Sequence, residues 1–173
     1  HISPPEIWGG IECTVNRIRD GYRDQLASAG HYDREDDIDQ IAGLGIKKLR
    51  YPVLWESHQP HSPDQKIDWT RSEKKMAEIL HNGIDPIVGL VHHGSGPRYT
   101  SLADKDFSVK LADYAFKVAE KFPDVKHYTP VNEPLTTARF SGLYGLWYPH
   151  HKDAKRFCSM LIKQLKGIVL SMQ

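Results

Sequence analysis

The chain has 173 residues, of which 39% are hydrophobic, 10% aromatic and 26% charged, a composition typical of one globular domain spanning residues 1–173. Lysine and arginine (23) nearly balance aspartate and glutamate (22), and the resulting formal charge of +1 disfavours a nucleic-acid partner. No apolar run approaches the ~20 residues that a membrane-spanning helix needs, so we expect no membrane partner.

Two cysteines, Cys13 and Cys158, are too few for a disulfide scaffold. We expect both to be small buried side chains in a reducing compartment. The chain opens on His1-Ile2-Ser3-Pro4-Pro5, without the basic and apolar segments of a secretion signal. These features predict a cytoplasmic location.

Short apolar runs alternate with helical patterns in the first half of the chain. A strand is predicted over 7–11, followed by a polar stretch rich in arginine and glycine. Asp33 can cap a helix that ends at Gly45. A second strand is then predicted over 48–55, and a second helix from Asp68 to Gly83.

The same alternation continues in the second half. Residues 87–91 are continuously apolar, which is typical of a parallel strand covered on both faces. A third helix carries an apolar stripe at three- and four-residue steps, formed by Phe107, Leu111, Tyr114, Val118 and Phe122. A fourth strand is predicted over 127–131. The stripe of a last helix consists of Phe157, Leu161, Leu165 and Ile168.

This order of elements predicts an α/β fold, either an open doubly wound sheet or part of a (β/α)8 TIM barrel. An open sheet favours a glycine-rich phosphate loop after the first strand, and Gly9-Gly10-Ile11-Glu12 does not match that motif. The barrel therefore fits better. Because a complete barrel takes roughly 250 residues, we expect its N-terminal half, with about four βα units.

Polar residues gather where the predicted strands give way to loops, which is the catalytic edge of a barrel. They are Glu12 and Asn16 after the first strand, Arg50 and Trp55 on the second, His92 and His93 after the third, and Asn132 and Glu133 after the fourth. Aromatic rings, amides, imidazoles and carboxylates suit a neutral sugar ring. The sequence predicts a carbohydrate site without cofactor or metal, since adjacent strand residues such as His92 and His93 point to opposite faces.

Some aromatic residues fit two roles. Trp8 and Trp55 either fill the barrel interior or stack on a sugar. Trp147 and Tyr148 lie in a long loop, where they form either a binding platform or a plug over exposed barrel surface.

Four motifs occur in the order found in a known enzyme family. Asn132-Glu133-Pro134 resembles the acid/base signature of the clan A retaining glycoside hydrolases. Three further segments, 8–16, 31–55 and 83–93, resemble the opening, first helix with second strand, and third strand of glycoside hydrolase family 1, the β-glucosidase-like enzymes. The resemblance covers residue 7 to about residue 170.

The resemblance implies that Glu133 is the general acid/base and that Asn132 binds the sugar 2-hydroxyl. It implies that His92 and Asn16 hold ring hydroxyls and that Arg50 supports the nucleophile. The family's nucleophile is a glutamate on the seventh strand. We therefore expect this chain to be inactive alone, with the other barrel half supplied by downstream chain or a second copy.

Four positions depart from the family pattern. Asn16 replaces glutamine, His93 replaces tryptophan, and Pro130 and Glu12 replace threonine. Family 1-like domains with altered pockets are also found joined to a dTDP-4-dehydrorhamnose reductase-type domain. The alternative function is therefore a non-hydrolytic domain that binds a sugar or nucleotide-sugar beside such a reductase.

Overall fold

The computed structural model describes residues 5–173, so the first four residues, on which the prediction about a secretion signal partly rests, lie outside the described part. The strands are β1 (Trp8–Gly10), β2 (Val15–Ile18), β3 (Gly21–Asp24), β4 (Lys48–Pro52), β5 (Asp85–His92) and β6 (His127–Asn132). The helices are α1 (Gln25–Ser28), α2 (Asp37–Gly43), α3 (Trp55–His58), α4 (Thr70–His81), α5 (Phe107–Lys121), α6 (Pro134–Ala138) and α7 (Ala154–Ser171). A π-helical turn, Arg139–Leu143, continues α6.

Four strands form one parallel sheet in the order β1-β4-β5-β6. Gly10 lies opposite Arg50, and His92 lies opposite Asn132, so the carboxyl ends of the strands share one edge. The segments between these strands contain α2, α4 and α5, as expected for crossover connections between parallel strands. The predicted parallel α/β arrangement is confirmed.

The predicted helix boundaries are partly right. Asp68 accepts hydrogen bonds from the N–H (3.0 Å) and hydroxyl (2.6 Å) of Thr70, and Gly83 follows α4 with φ +67°. The first predicted helix corresponds to α2, which begins at Asp37 and not near Asp33. The N–H of Asp33 donates to the carbonyl of Gly30 in a turn, which occupies the chain before the helix.

The polar stretch after β1 is a second difference. It forms the antiparallel hairpin β2–β3, whose turn contains Arg19 with φ +57°. A non-glycine residue in the left-handed region is uncommon, so Arg19 itself gives no signal for this turn, although the Asp20-Gly21 pair beside it is typical of hairpins. The predicted strand at 48–55 also ends earlier, at Pro52, because Trp55 begins α3.

The helix-covered face of the sheet carries the hydrophobic core. Leu49 and Tyr51 of β4 pack with Ile38, Ile79 and Ile84. Val88 and Leu90 of β5 belong to a larger cluster that includes residues of α5 and α7. On the opposite face the alternating residues Arg50, Ile87 and Gly89 are only half-buried.

The last helix packs largely through its predicted stripe, since Phe157, Leu161 and Ile168 are partly buried against the core. Its buried residues are Met160, Gln164 and Gly167, whereas Leu165 is 46% exposed. A Cβ placed on Gly167 would lie 3.0 Å from a methyl carbon of Leu111, so the absence of a side chain lets α7 approach α5 closely. Within residues 5–173, none of the helices is long and apolar enough to cross a membrane.

Candidate active site

Asn132, the last residue of β6, joins side chains from two other strands. Its Oδ1 accepts a hydrogen bond from Arg50 Nη1 at 2.7 Å, and its Nδ2 lies 3.0 Å from His92 Nε2 and 3.4 Å from His93 Nε2. Asn132 and His92 are both buried. The structure therefore brings together Arg50, His92, His93 and Asn132, four of the residues predicted from the sequence.

Glu133 lies at the exposed side of this cluster, between β6 and α6. Its Oε2 is 3.7 Å from His93 Nε2, and 59% of its side chain is exposed, so a ligand can reach the carboxylate. Its φ of +46° is in the left-handed region, which costs a non-glycine residue on the order of 1–3 kcal/mol. Strain of this kind often accompanies a functional role.

His93 corrects the expectation that neighbouring histidines point apart. It follows the last residue of β5 and has φ +58°, which breaks the strand alternation. The rings of His92 and His93 consequently lie with centroids 4.9 Å apart, and both contact Asn132. His93 Nδ1 also lies 3.2 Å from the hydroxyl of Thr137. Burial lowers the pKa of both histidines, which favours neutral imidazoles at neutral pH.

Glu12 contributes a second carboxylate to the same cluster. Its Oε1 accepts hydrogen bonds from the hydroxyl (2.6 Å) and N–H (3.3 Å) of Thr14 and lies 3.2 Å from His92 Nε2. Partial burial opposes ionisation, but the Thr14 hydrogen bonds and the positive charge that His92 can carry lower the pKa of Glu12 overall. Glu12 is therefore ionised at neutral pH.

Cys13 is a site neighbour that the sequence reasoning missed. Its Sγ lies 3.2 Å from His92 Nδ1, and burial raises the pKa of this thiol to about 12, so it is protonated and can donate. If His92 accepts from Cys13 at Nδ1, its Nε2–H donates to Glu12. The expectation of a buried side chain is confirmed for Cys13 and wrong for Cys158, which is exposed.

Asn16 and Trp55 make no hydrogen bond to this cluster among the described residues. Asn16 is buried in β2, where its backbone pairs with Arg23, and among the described residues its side chain makes no hydrogen bond to Asn132 or His92. Trp55 is fully buried, stacks on Tyr114 and donates from Nε1 to the hydroxyl of Tyr99. Because its faces are covered, Trp55 fills the core and cannot stack on a sugar.

Trp8 and Trp147 take opposite positions relative to the site. Trp8 is 58% exposed at the amino end of β1, opposite Lys48, and is therefore remote from the carboxyl edge. Trp147 borders the site: its ring lies 5.4 Å from that of His93 and stacks on Phe140 at 4.7 Å. No periodicity in the sequence signals this long-loop contact.

The site is an open edge and not an enclosed cavity. A cavity of about 160 Å³ lies on the helix side of β4 and is lined by Tyr32, Tyr51, His58 and Arg71, among others, away from Asn132. We place the candidate site at the Asn132 cluster because the carboxylates, imidazoles and amide converge there. Within residues 5–173, no group of three or more histidine, cysteine, aspartate or glutamate side chains is arranged to hold a metal ion.

Comparison with known proteins relates this chain to one family of glycosidases. The family model of glycosyl hydrolase family 1 matches residues 5–167. A 1,4-beta-D-glucan glucohydrolase of Thermotoga neapolitana is 29% identical over 157 residues, which are 85% of this chain and 36% of that protein. Beta-glucosidase 34 of Oryza sativa subsp. japonica is 28% identical over 141 residues, 78% of this chain and 28% of that protein.

A solved structure shares the fold. The beta-glucosidase from Thermotoga maritima in complex with glucoimidazole aligns with a TM-score of 0.71 at 24% identity, covering 82% of this chain and 34% of that one. The sheet and its helices therefore correspond to part of a family 1 TIM barrel, as predicted. The chain spans about a third of the length of the relatives it matches.

Proposed function

Because the chain belongs to glycosyl hydrolase family 1, we propose that it forms the amino-terminal part of a β-glycosidase in which Glu133 is the general acid/base. The observation that carries this proposal is the position of Glu133 at the carboxyl end of β6, exposed, and held beside Asn132 and His93. A carboxylate at that edge of the sheet can reach a sugar bound over the strand ends.

The remaining contacts suit a sugar ring with hydroxyl groups around its rim. The amide of Asn132 is fixed by Arg50, so it can present a defined donor and acceptor to a hydroxyl. Neutral His92 and His93 add further donors or acceptors, and the ring of Trp147 offers an apolar face nearby. Glycoside binding uses this combination of polar and aromatic groups.

Retaining hydrolysis needs a second carboxylate ~5–5.5 Å from the acid/base, which attacks the anomeric carbon while Glu133 protonates the leaving oxygen. Water then attacks the glycosyl-enzyme, and Glu133 takes its proton. We propose that this nucleophile comes from a part of the longer protein outside these 173 residues. On this proposal the 173-residue chain alone is hydrolytically inert.

The test uses the full-length protein and an activated aryl β-glucoside. Glu133→Gln removes the general base that deprotonates the attacking water while keeping the side-chain shape, so kcat should fall about 10²- to 10⁴-fold. Added azide should restore part of the turnover, because a small nucleophile needs no general base. Glu120 is an exposed residue of α5, so Glu120→Gln serves as the matched control and should leave the rate unchanged. Full activity of Glu133→Gln would contradict the proposal.

A non-hydrolytic sugar-binding role is the second candidate, and Glu12 is the observation that favours it. Its carboxylate contacts His92, so the site differs in charge from the family pattern noted above. Titration calorimetry of the full-length protein with glucose and with a nucleotide-sugar, beside the hydrolysis assay, separates the two candidates. Binding without turnover supports this second role, and attachment to a reductase stays a prediction.

A further inference from the structure

Glu56 is a buried carboxyl for which the proposed reaction provides no role. It is the second residue of α3, just beyond the carboxyl end of β4, and 5% of its surface is exposed. Its Oε1 accepts a hydrogen bond from the N–H of Gly96 at 3.0 Å, whereas Oε2 has no partner among the described residues. Burying such a group is costly, so its presence calls for an explanation.

The loop after β5 is shaped around this carboxyl. A Cβ placed on Gly94 would overlap Glu56 Oε1, so that position can hold only glycine while Glu56 stays where it is. Gly96 has φ +81°, a conformation that favours glycine. The glycines therefore let the backbone of residues 94–96 close over the Glu56 side chain.

This loop begins with His93, the residue that contacts Glu133. Besides Glu56, two neutral anchors hold it: Tyr22 donates to the carbonyl of Gly96 at 3.0 Å, and the hydroxyl of Ser95 donates to the carbonyl of Tyr148 at 2.6 Å. His93 itself is in the left-handed region, so its conformation depends on restraint from the surrounding structure.

Among these anchors, Glu56 is the one whose charge changes near neutral pH. Burial raises the pKa of Glu56 to about 7, although hydrogen bonds from its own N–H and that of Gly96 act in the opposite direction. The titratable groups whose pKa values respond to its charge are Cys13, Tyr22, Tyr99 and Tyr114, all with raised pKa values and hence neutral at pH 7. The strength of the anchor at Gly96 therefore depends on the protonation of one side chain.

We propose that Glu56 is a positioning residue for the acid/base: it holds the 94–96 loop in place and so keeps His93 against Glu133. The inference rests on the proposed function of Glu133 for its kinetic consequence, but its structural part does not. Loss of the anchor moves His93, which alters the electrostatic environment of Glu133 without removing any group from the site.

The kinetic test compares three variants of the full-length protein. Glu56→Ala removes the anchor, and kcat should fall roughly 10- to 100-fold with little change in KM, since small misplacements near reacting groups are costly. The alkaline limb of the pH profile of kcat/KM should also shift in Glu56→Ala. Glu56→Gln keeps the acceptor for Gly96 and should restore most of kcat. Gln59→Ala removes a buried polar anchor that is bonded to Tyr99 and Pro63, and should leave the profile unshifted.

An NMR measurement tests the structural part without activity. In the wild-type background, Glu133→Gln should lower the pKa of His93, because the Glu133 charge raises it. In the Glu56→Ala background the same substitution should change the His93 pKa much less. If Glu56→Ala does not fold, Glu56→Asp, whose shorter side chain loses the Gly96 bond, takes its place.

The outcomes separate the two proposals. The role of Glu56 is overturned if Glu56→Ala leaves the coupling between Glu133 and His93 unchanged. It is also overturned if that variant keeps full kcat and an unshifted pH profile. Full activity of Glu133→Gln overturns the proposed acid/base, while the NMR coupling still decides whether Glu56 positions His93.

Discussion

At the scale of single residues, the pairing of Glu12 with His92 controls the charge state of the site. His92 Nε2 lies 3.2 Å from Glu12 Oε1, and the imidazole also contacts Cys13, Asn132 and the ring of His93. Burial lowers the pKa of His92, and the negative charge of Glu12 works against that effect. The carboxylate thus preserves part of the basicity that burial removes.

Glu12→Gln should therefore lower the pKa of His92 further. With the charge removed, desolvation is no longer offset, and the nearby His93 and Arg50 also lower the pKa of His92, so His92 stays neutral to lower pH. The histidine pKa is measured by NMR titration of the full-length protein. Glu6→Gln is the matched control, since Glu6 pairs with Lys48 and Trp8 at the other end of the sheet. An unchanged or raised His92 pKa in Glu12→Gln contradicts this prediction.

Residues at strand ends were predictable from the sequence, whereas residues placed by loops were not. Asn132, His92 and Arg50 meet because parallel strands align their carboxyl ends, and this rule needs only the strand positions. Trp147 reaches His93 through a fold of the long loop that no local pattern encodes. Trp55 was misassigned because the end of β4 was placed three residues too late, which put a core side chain at the site edge.

At the scale of elements, close approach of backbones decides where helices sit. The π-helical turn after α6 meets the first turns of α7 at Gly142, where a Cβ would lie 2.8 Å from Cα of Phe157. By contrast, Gly43 at the end of α2 has no heavy atom within 4 Å of such a Cβ. The two glycines thus have different reasons for their presence.

Alanine substitutions at these two positions should change the free energy of unfolding in opposite directions. Gly142→Ala forces α7 away from the turn and should destabilise the protein by about 1–3 kcal/mol, as overpacking typically does. Gly43→Ala limits the freedom of the unfolded chain and should stabilise it by about 0.5–1 kcal/mol. Denaturant unfolding of the full-length variants measures both. Equal effects of the two substitutions would show that packing against Phe157 is not decisive.

The elements also show which local signals suffice. Helix α4 was predicted closely because Asp68 accepts hydrogen bonds from its first residue, Thr70, and α5 because its apolar stripe lies within one segment. The β2–β3 hairpin was missed because its strands have only four residues each and Arg19 in its turn has a positive φ, although the Asp20-Gly21 pair there is a hairpin signal. Its stability comes from contacts with distant segments, such as the hydrogen bond from Tyr148 N–H to the carbonyl of Arg17.

At the scale of the whole molecule, the sheet is covered on one face only within the described residues. Arg50, Ile87 and Gly89 lie on the other face and are half-buried, and β1 and β6 are its two edge strands. Edge strands present unpaired N–H and C=O groups, which favour association with other chains. On α7, the side chains of Ile162 and Val169 are 62% and 60% exposed.

The 173-residue chain expressed alone should therefore self-associate, because pairing of edges and burial of apolar side chains both lower its free energy. Sedimentation velocity over a concentration series measures this directly. The double substitution of Ile162 and Val169 by lysine should weaken the association if α7 takes part in it. Val109 on α5 is 52% exposed, so Val109→Lys is the matched control and should leave the association unchanged. A concentration-independent monomer that unfolds in one cooperative transition would show that the open face and edges need no cover, and that this part of the barrel is a stable unit by itself.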